Sequence, residues 1–163
     1  MSDETPRVAP DRAALERCCG SGRWVETMLA SGPFADRTDL ARAADTAFAT
    51  LHEADWLEAF AHHPRIGDVG RLRERFARSG DLSEKEQGVA VASAEEDVIG
   101  RLFALNQAYE ARHGHIFIVC ATGKTAAEML ALLEARIDLD SATELRNCAA
   151  EQQKITHLRL AGL

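Results

Sequence analysis

The sequence predicts an all-α fold: a compact single-domain bundle of about eight helices, with one extended buried segment near 115–121. Three observations point there. Alanine supplies 29 of the 163 residues, and Leu, Glu and Arg, strong helix formers too, are abundant. Apolar residues recur at helical spacing between repeated capping signals. Only one stretch, His115-Ile-Phe-Ile-Val-Cys-Ala121, has strand propensity. A lone strand has no partner, so that stretch is expected as an extended segment between helices.

The elements follow in order. Residues 1–10 read as a flexible tail, and 11–163 as the domain. Arg12 to Cys19 suits a short helix ending at Gly20, and Arg23 to Ala30 a second, closed by Ser31-Gly-Pro33. Thr38 is the expected N-cap of a third, whose Leu40, Ala44, Ala47, Phe48 and Leu51 share a face. Asp55 and Glu58 resemble a capping box opening Trp56 to His62, and Pro64 ends that helix by forcing His63 out of the α region. Arg71 to Arg78 reads as a helix with a solvated Arg/Glu face, stopped at Gly80. Ser83 and Glu86 form a capping box ahead of a long helix lined by Val98, Leu102, Leu105 and Tyr109 and broken at Gly114. Thr125 with Glu128 opens a helix to about Ile137, and Ser141 with Glu144 a final one to about Leu160.

Composition narrows the function classes. A domain of this length buries roughly 68–70% of its unfolded surface, enough for a core without metals or disulfides. The net charge of −7 argues against a nucleic-acid partner, which calls for a basic face. No apolar run approaches a membrane span. The polar start lacks a signal peptide, the end Ala161-Gly-Leu163 is not a peroxisomal address, and no Cys pair forms CxxC. Cys18, Cys19, Cys120 and Cys148 are therefore expected as reduced thiols in a cytoplasmic protein.

Three residues stand out as chemically capable. Trp56, Phe60 and His63 fall at i, i+4 and i+7, which aims the imidazole toward the core just before a proline-fixed loop. A titratable group held so suits general acid or base work near neutral pH; a core histidine bonded to a backbone carbonyl is the alternative. Glu86 belongs to a capping box, yet a helix N-terminus also keeps a carboxylate ionised, and Ser83, Glu86 and Gln87 would then wall a pocket. On the last helix Leu145, Cys148, Gln152, Ile155 and Arg159 share 3–4 spacing, placing Arg159 on a buried stripe. A buried guanidinium needs a carboxylate from the protein or a ligand, unless it snorkels to water at the helix end.

Other signals fail on spacing. Gly123-Lys124-Thr125 would end a phosphate-binding loop only with glycine at 118, where Ile118 stands. His62, His63, His113 and His115 match no zinc template. Cys120 in its apolar run reads as inert core, and His62 as solvent-facing.

The motifs taken together carry a resemblance. Cys18-Cys19-Gly20-Ser21 with Trp24 and Pro33-Phe34 form one block; Trp56-Leu-Glu-Ala-Phe60 and His63-Pro-Arg-Ile-Gly-Asp68 form the next. Ser83-Glu-Lys-Glu-Gln87, then Tyr109 with Arg112-His-Gly-His-Ile-Phe-Ile-Val-Cys-Ala-Thr-Gly-Lys124, follow. Glu151, Lys154-Ile155 and Leu158-Arg-Leu160 complete the set. In order and spacing, over about residues 12 to 160, they resemble the OHCU decarboxylase family (2-oxo-4-hydroxy-4-carboxy-5-ureidoimidazoline decarboxylase, of urate degradation). The resemblance implies an all-α fold, usually homodimeric, and a decarboxylation without cofactor or metal that yields (S)-allantoin. It implies catalytic roles for His63, Glu86 and Arg159. It implies substrate contacts from Pro64, Ser83, Gln87 and the segment Ile118, Val119, Cys120 and Ala121. His113 departs from it, since phenylalanine often precedes the glycine there. A non-enzymatic helical interaction module is the alternative class; it explains the helices but neither a histidine locked before proline nor an arginine on a buried stripe. A hydrolase of the same pathway would need an activated water, and no base–nucleophile pair or metal set is apparent.

Overall fold

The structure is a computed structural model that describes residues 7–65, 67–78 and 89–163. Its helices are α1 (Arg12–Cys18), α2 (Gly22–Ser31), α3 (Arg37–Ala49), α4 (Glu53–Ala61), α5 (Val69–Arg78), α6 (Val89–His113), α7 (Ala126–Arg136) and α8 (Ser141–Ala161). The chain is all-α, as expected, and no strand forms among the described residues. Val8 and Phe34 exchange one isolated pair of backbone hydrogen bonds, both 2.9 Å, so the expected tail is tied down at Val8. No helix is long and apolar enough to cross a membrane among the described residues.

Contacts divide the chain into two compact units: residues up to His63 with Asn147–Leu163, and Pro64–Arg146. In the first, α2 packs on α1, α3 and α4. Trp24, Val25 and Met28 of α2 bury with Leu15 and Cys18 of α1, Leu40, Ala44, Ala47 and Phe48 of α3, and Ala59 and Phe60 of α4. The Trp24 indole N–H donates to the Ala44 carbonyl at 3.2 Å, which satisfies its buried polar atom. In the second unit α6 packs on α5 and α7. There Ile99, Leu102 and Tyr109 bury in the same unit as Leu72, Phe76, Met129, Leu130 and Leu133. Ile99 joins the stripe expected from Val98, Leu102, Leu105 and Tyr109, while Val98 and Leu105 are half-buried. Arg71, Arg73, Glu74 and Arg75 form the expected solvated face of α5.

Helix starts differ from the sequence expectation wherever two capping residues compete. Asp36, not Thr38, caps α3, its Oδ1 accepting from Asp39 N at 2.8 Å. α4 begins three residues before Trp56: Asp55 sits inside the first turn, where its carboxylate accepts from His52 N at 2.9 Å. Asp140 replaces Ser141 as the cap of α8, accepting from Thr143 N at 2.9 Å. A carboxylate competes well for free N–H groups at a helix's positive end, which is why Asp displaces Ser and Thr at two of these sites. The Thr125–Glu128 box of α7 forms as expected, with both reciprocal bonds in place. Gly114 ends α6 at φ 79, a left-handed conformation that favours glycine. The Ser83–Glu86 box lies outside the described residues.

The buried stripe of α8 corrects a second expectation. It runs through Glu144, Cys148, Gln152, Thr156 and Leu160, every fourth residue. Such a row slants across a helix instead of following the straight seam of a 3–4 repeat. By the level of Leu160 the buried direction has turned away from Arg159, and Arg159 is exposed.

Candidate active site

His63 follows the last turn of α4. Pro64 bars the helix from continuing, and His63 N donates to the Phe60 carbonyl at 3.1 Å, a final tight turn. The ring is half-buried, as its register with Trp56 and Phe60 predicts, and its Nε2 lies 2.6 Å from Gln152 Oε1 on α8. The alternative partner for a core histidine, a backbone carbonyl, is thus replaced at Nε2 by a side-chain amide. Gln152 is 1% exposed. Its Nε2 donates to Thr156 Oγ1 at 3.2 Å, and the Thr156 hydroxyl donates to the Gln152 carbonyl at 2.9 Å. Cys19 lies against Thr156; burial pushes its thiol pKa up, opposed by the Ser21 N–H and the Thr156 hydroxyl.

Arg159 stands two turns beyond Gln152 on α8, about 10 Å along the helix axis. Its guanidinium donates to the Arg17 carbonyl at 3.2 Å and, among the described residues, forms no ion pair with a carboxylate. Burial also pushes the Cys18 thiol up, and the positive charges of Arg159 and Arg17 oppose that shift. An exposed arginine held by one backbone carbonyl keeps most of its donor fork available to an anion.

His62 is exposed, as expected, but its ring lies over Gly20: a Cβ there would sit 2.3 Å from His62 Cγ. Gly20→Ala is therefore expected to destabilise the chain by about 1–3 kcal/mol, because the rigid root of His62 must move. A urea titration checks this, and an unchanged midpoint would contradict the packing.

In the second unit residues 116–121 form neither helix nor strand, and Ile118 and Cys120 are buried. The segment's carbonyls are anchored: Arg136 Nη1 donates to Ile118 O at 3.0 Å, Lys124 Nζ to Cys120 O at 2.7 Å, and Lys124 N to Ala121 O at 3.1 Å. Arg136 also sits 4.4 Å over the Phe117 ring. Its Nε donates to Glu144 Oε1 at 2.7 Å, and Tyr109 OH donates to the same oxygen at 2.8 Å. Glu144 is 0% exposed. The residue expected to close a surface capping box is instead the buried anion that holds Arg136. His113, the departure from the family pattern, packs on Tyr109 with its ring nitrogens 2.8 Å from Ser141 Oγ and 2.9 Å from Ile137 O. Ser83, Glu86 and Gln87 lie outside the described residues; of the expected site residues the structure describes His63, Pro64, Arg159 and the segment 118–121. Gln152 and Thr156 are what the sequence reading missed. The signal was present, since Gln152 fell on the expected buried stripe and a buried amide must find partners.

The chain is thus an all-α protein with a histidine held at a helix end by a buried amide. The sequence model of OHCU decarboxylase matches residues 9–161, and the chain belongs to that family. It is 39% identical over 148 residues to the uric acid degradation bifunctional protein TTL of Arabidopsis thaliana, covering 90% of this chain and 45% of that one. It is 30% identical over 144 residues to the 2-oxo-4-hydroxy-4-carboxy-5-ureidoimidazoline decarboxylase of Haloferax volcanii, covering 85% and 79% respectively. Among solved structures, an OHCU decarboxylase crystallised in the presence of (S)-allantoin matches with a TM-score of 0.73 and 30% identity, over 94% of this chain and 97% of that one. The chain spans less than half of the two bifunctional relatives, 45% of TTL and 27% of PucL from Bacillus subtilis.

Proposed function

We propose that this chain decarboxylates 2-oxo-4-hydroxy-4-carboxy-5-ureidoimidazoline to (S)-allantoin, without cofactor or metal, as a homodimer in the cytoplasm. Family membership supports the reaction, and the observation that carries it to residues is the fixed His63 imidazole. The leaving carboxylate sits on a carbon next to a C=N group. When its C–C bond breaks, CO₂ departs and the electron pair delocalises into the heterocycle, so the substrate supplies its own electron sink. The hydroxyl on that same carbon gives up its proton as the carbonyl forms, and the ring nitrogen that took the electron pair gains one in its place. Protonated His63 then delivers a proton to one face of the ring and sets the S configuration. Glu86 is the second member of the acid–base pair, orienting the hydroxyl or ureido end and disfavouring a nearby ground-state carboxylate. Arg159 clamps an anionic or carbonyl oxygen. Pro64, Ser83, Gln87 and the backbone of Ile118, Val119, Cys120 and Ala121 complete the contacts to the ring.

Arg159→Ala separates binding from chemistry. It is expected to raise KM by about ten- to a hundredfold, the loss of a charge-assisted hydrogen bond worth about 1.5–3 kcal/mol, with a smaller change in kcat. Steady-state kinetics check it; an unchanged KM would remove the clamp.

A further inference from the structure

We infer that Gln152 is a positioning residue that fixes the tautomer of His63, holding the ring hydrogen on Nε2. The inference rests on the proposed proton-donor role of His63. It follows from where each hydrogen must lie. The Thr156 hydroxyl has a single proton and two acceptors beside it, the Gln152 main-chain carbonyl at 2.9 Å and the Cys19 sulfur, and its proton goes to one of these. Thr156 Oγ1 is then an acceptor for the Gln152 side chain, which must turn its NH₂ toward it at 3.2 Å. That orientation leaves Gln152 Oε1, an acceptor, facing His63 Nε2 at 2.6 Å. The ring meets it with Nε2–H. In the neutral imidazole the lone pair is consequently on Nδ1, and Nε2–H stays on Gln152 in both protonation states.

Burial strengthens the lock. Gln152 and Thr156 are 1% and 2% exposed, so water does not compete for these bonds as it would at the surface. Reversing the amide would put its NH₂ against Nε2 and its carbonyl against Thr156. The hydroxyl would then have to abandon both of its other acceptors. Gln152 and Thr156 sit one helical turn apart on α8, and the relay reaches His63 within the same compact unit.

The test reads the tautomer directly. Long-range ¹H–¹⁵N correlation spectra of the full chain, with His63 assigned by loss of its signals in His63→Asn, are expected to show a protonated-type Nε2 and a bare-type Nδ1 above the imidazole pKa. Gln152→Leu should mix the tautomers and lower kcat by about ten- to a hundredfold, the usual cost of losing an orienting partner, while KM stays within about threefold. Thr156→Val, which removes the group that orients the amide, should shift the spectrum in the same direction and serves where Gln152→Leu folds poorly. Gln152→Glu keeps an acceptor and should keep Nε2–H. A bare Nε2 in the unmodified protein would overturn the inference, as would Gln152→Leu or Thr156→Val spectra and kcat equal to those of the unmodified chain. Absent decarboxylation by the unmodified protein would instead remove the functional reading and leave the tautomer measurement standing.

Discussion

His63→Ala is expected to lower kcat by about 10²- to 10⁴-fold, the contribution of a positioned acid or base. The fold should survive it. His63 lies past the last turn of α4 and is only half-buried, so truncation opens no large cavity. What it does leave is Gln152 Oε1 without its 2.6 Å partner, a loss of about 1–3 kcal/mol for a buried acceptor. The variant should therefore retain its helical circular dichroism and melt slightly earlier. Near-native turnover would move the proton donor elsewhere, and loss of the helical signal would show His63 to be structural.

The largest stability effect is expected at Glu144→Ala. Glu144 is fully buried, with Arg136 and Tyr109 both donating to its Oε1. Removing the carboxylate leaves a largely buried guanidinium uncompensated, which costs about 3–5 kcal/mol. For a chain of this size that corresponds to a melting temperature lower by about 6–20 °C. The effect should reach the segment 115–121, since Arg136 also holds the Ile118 carbonyl and covers Phe117. Faster hydrogen exchange at 115–121 in Glu144→Ala would report that coupling. A melting temperature within 2 °C of the unmodified chain, on the order of the smallest shift such a size scaling resolves, would contradict it.

Much of the architecture was legible from spacing and composition. The all-α class, the eight helices among the described residues, the buried Ile118 and Cys120 between helices, and the half-buried register of His63 follow from local propensity, periodicity and Pro64. Helix starts were legible only where a single capping residue was available. Asp36 and Asp140 displaced Thr38 and Ser141 because a carboxylate competes better for the free N–H groups, and both stood within two residues of the expected caps. The stripe on α8 was misread because a 3–4 repeat and a 4–4 row share Cys148 and Gln152 and part company by Arg159. Glu144 shows the limit of motif reading. Its box with Ser141 was plausible locally, but Arg136 comes from the preceding helix and Tyr109 from 35 residues away, and only the fold brings a cation and a phenol to the same carboxylate. Gln152 as the partner of His63 is likewise a contact across 89 residues, beyond any local pattern.

The central claim, a stereospecific decarboxylation that depends on His63, is tested most directly by circular dichroism of the product. The unstable substrate is generated in place from urate with urate oxidase and hydroxyisourate hydrolase, and this chain or His63→Ala is added. A rapid (S)-allantoin signal with the unmodified chain, and only the slow racemic background with His63→Ala, is the predicted result. Background alone from both proteins would contradict the decarboxylase reading, and equal rapid signals from both would keep the activity but take the proton transfer away from His63.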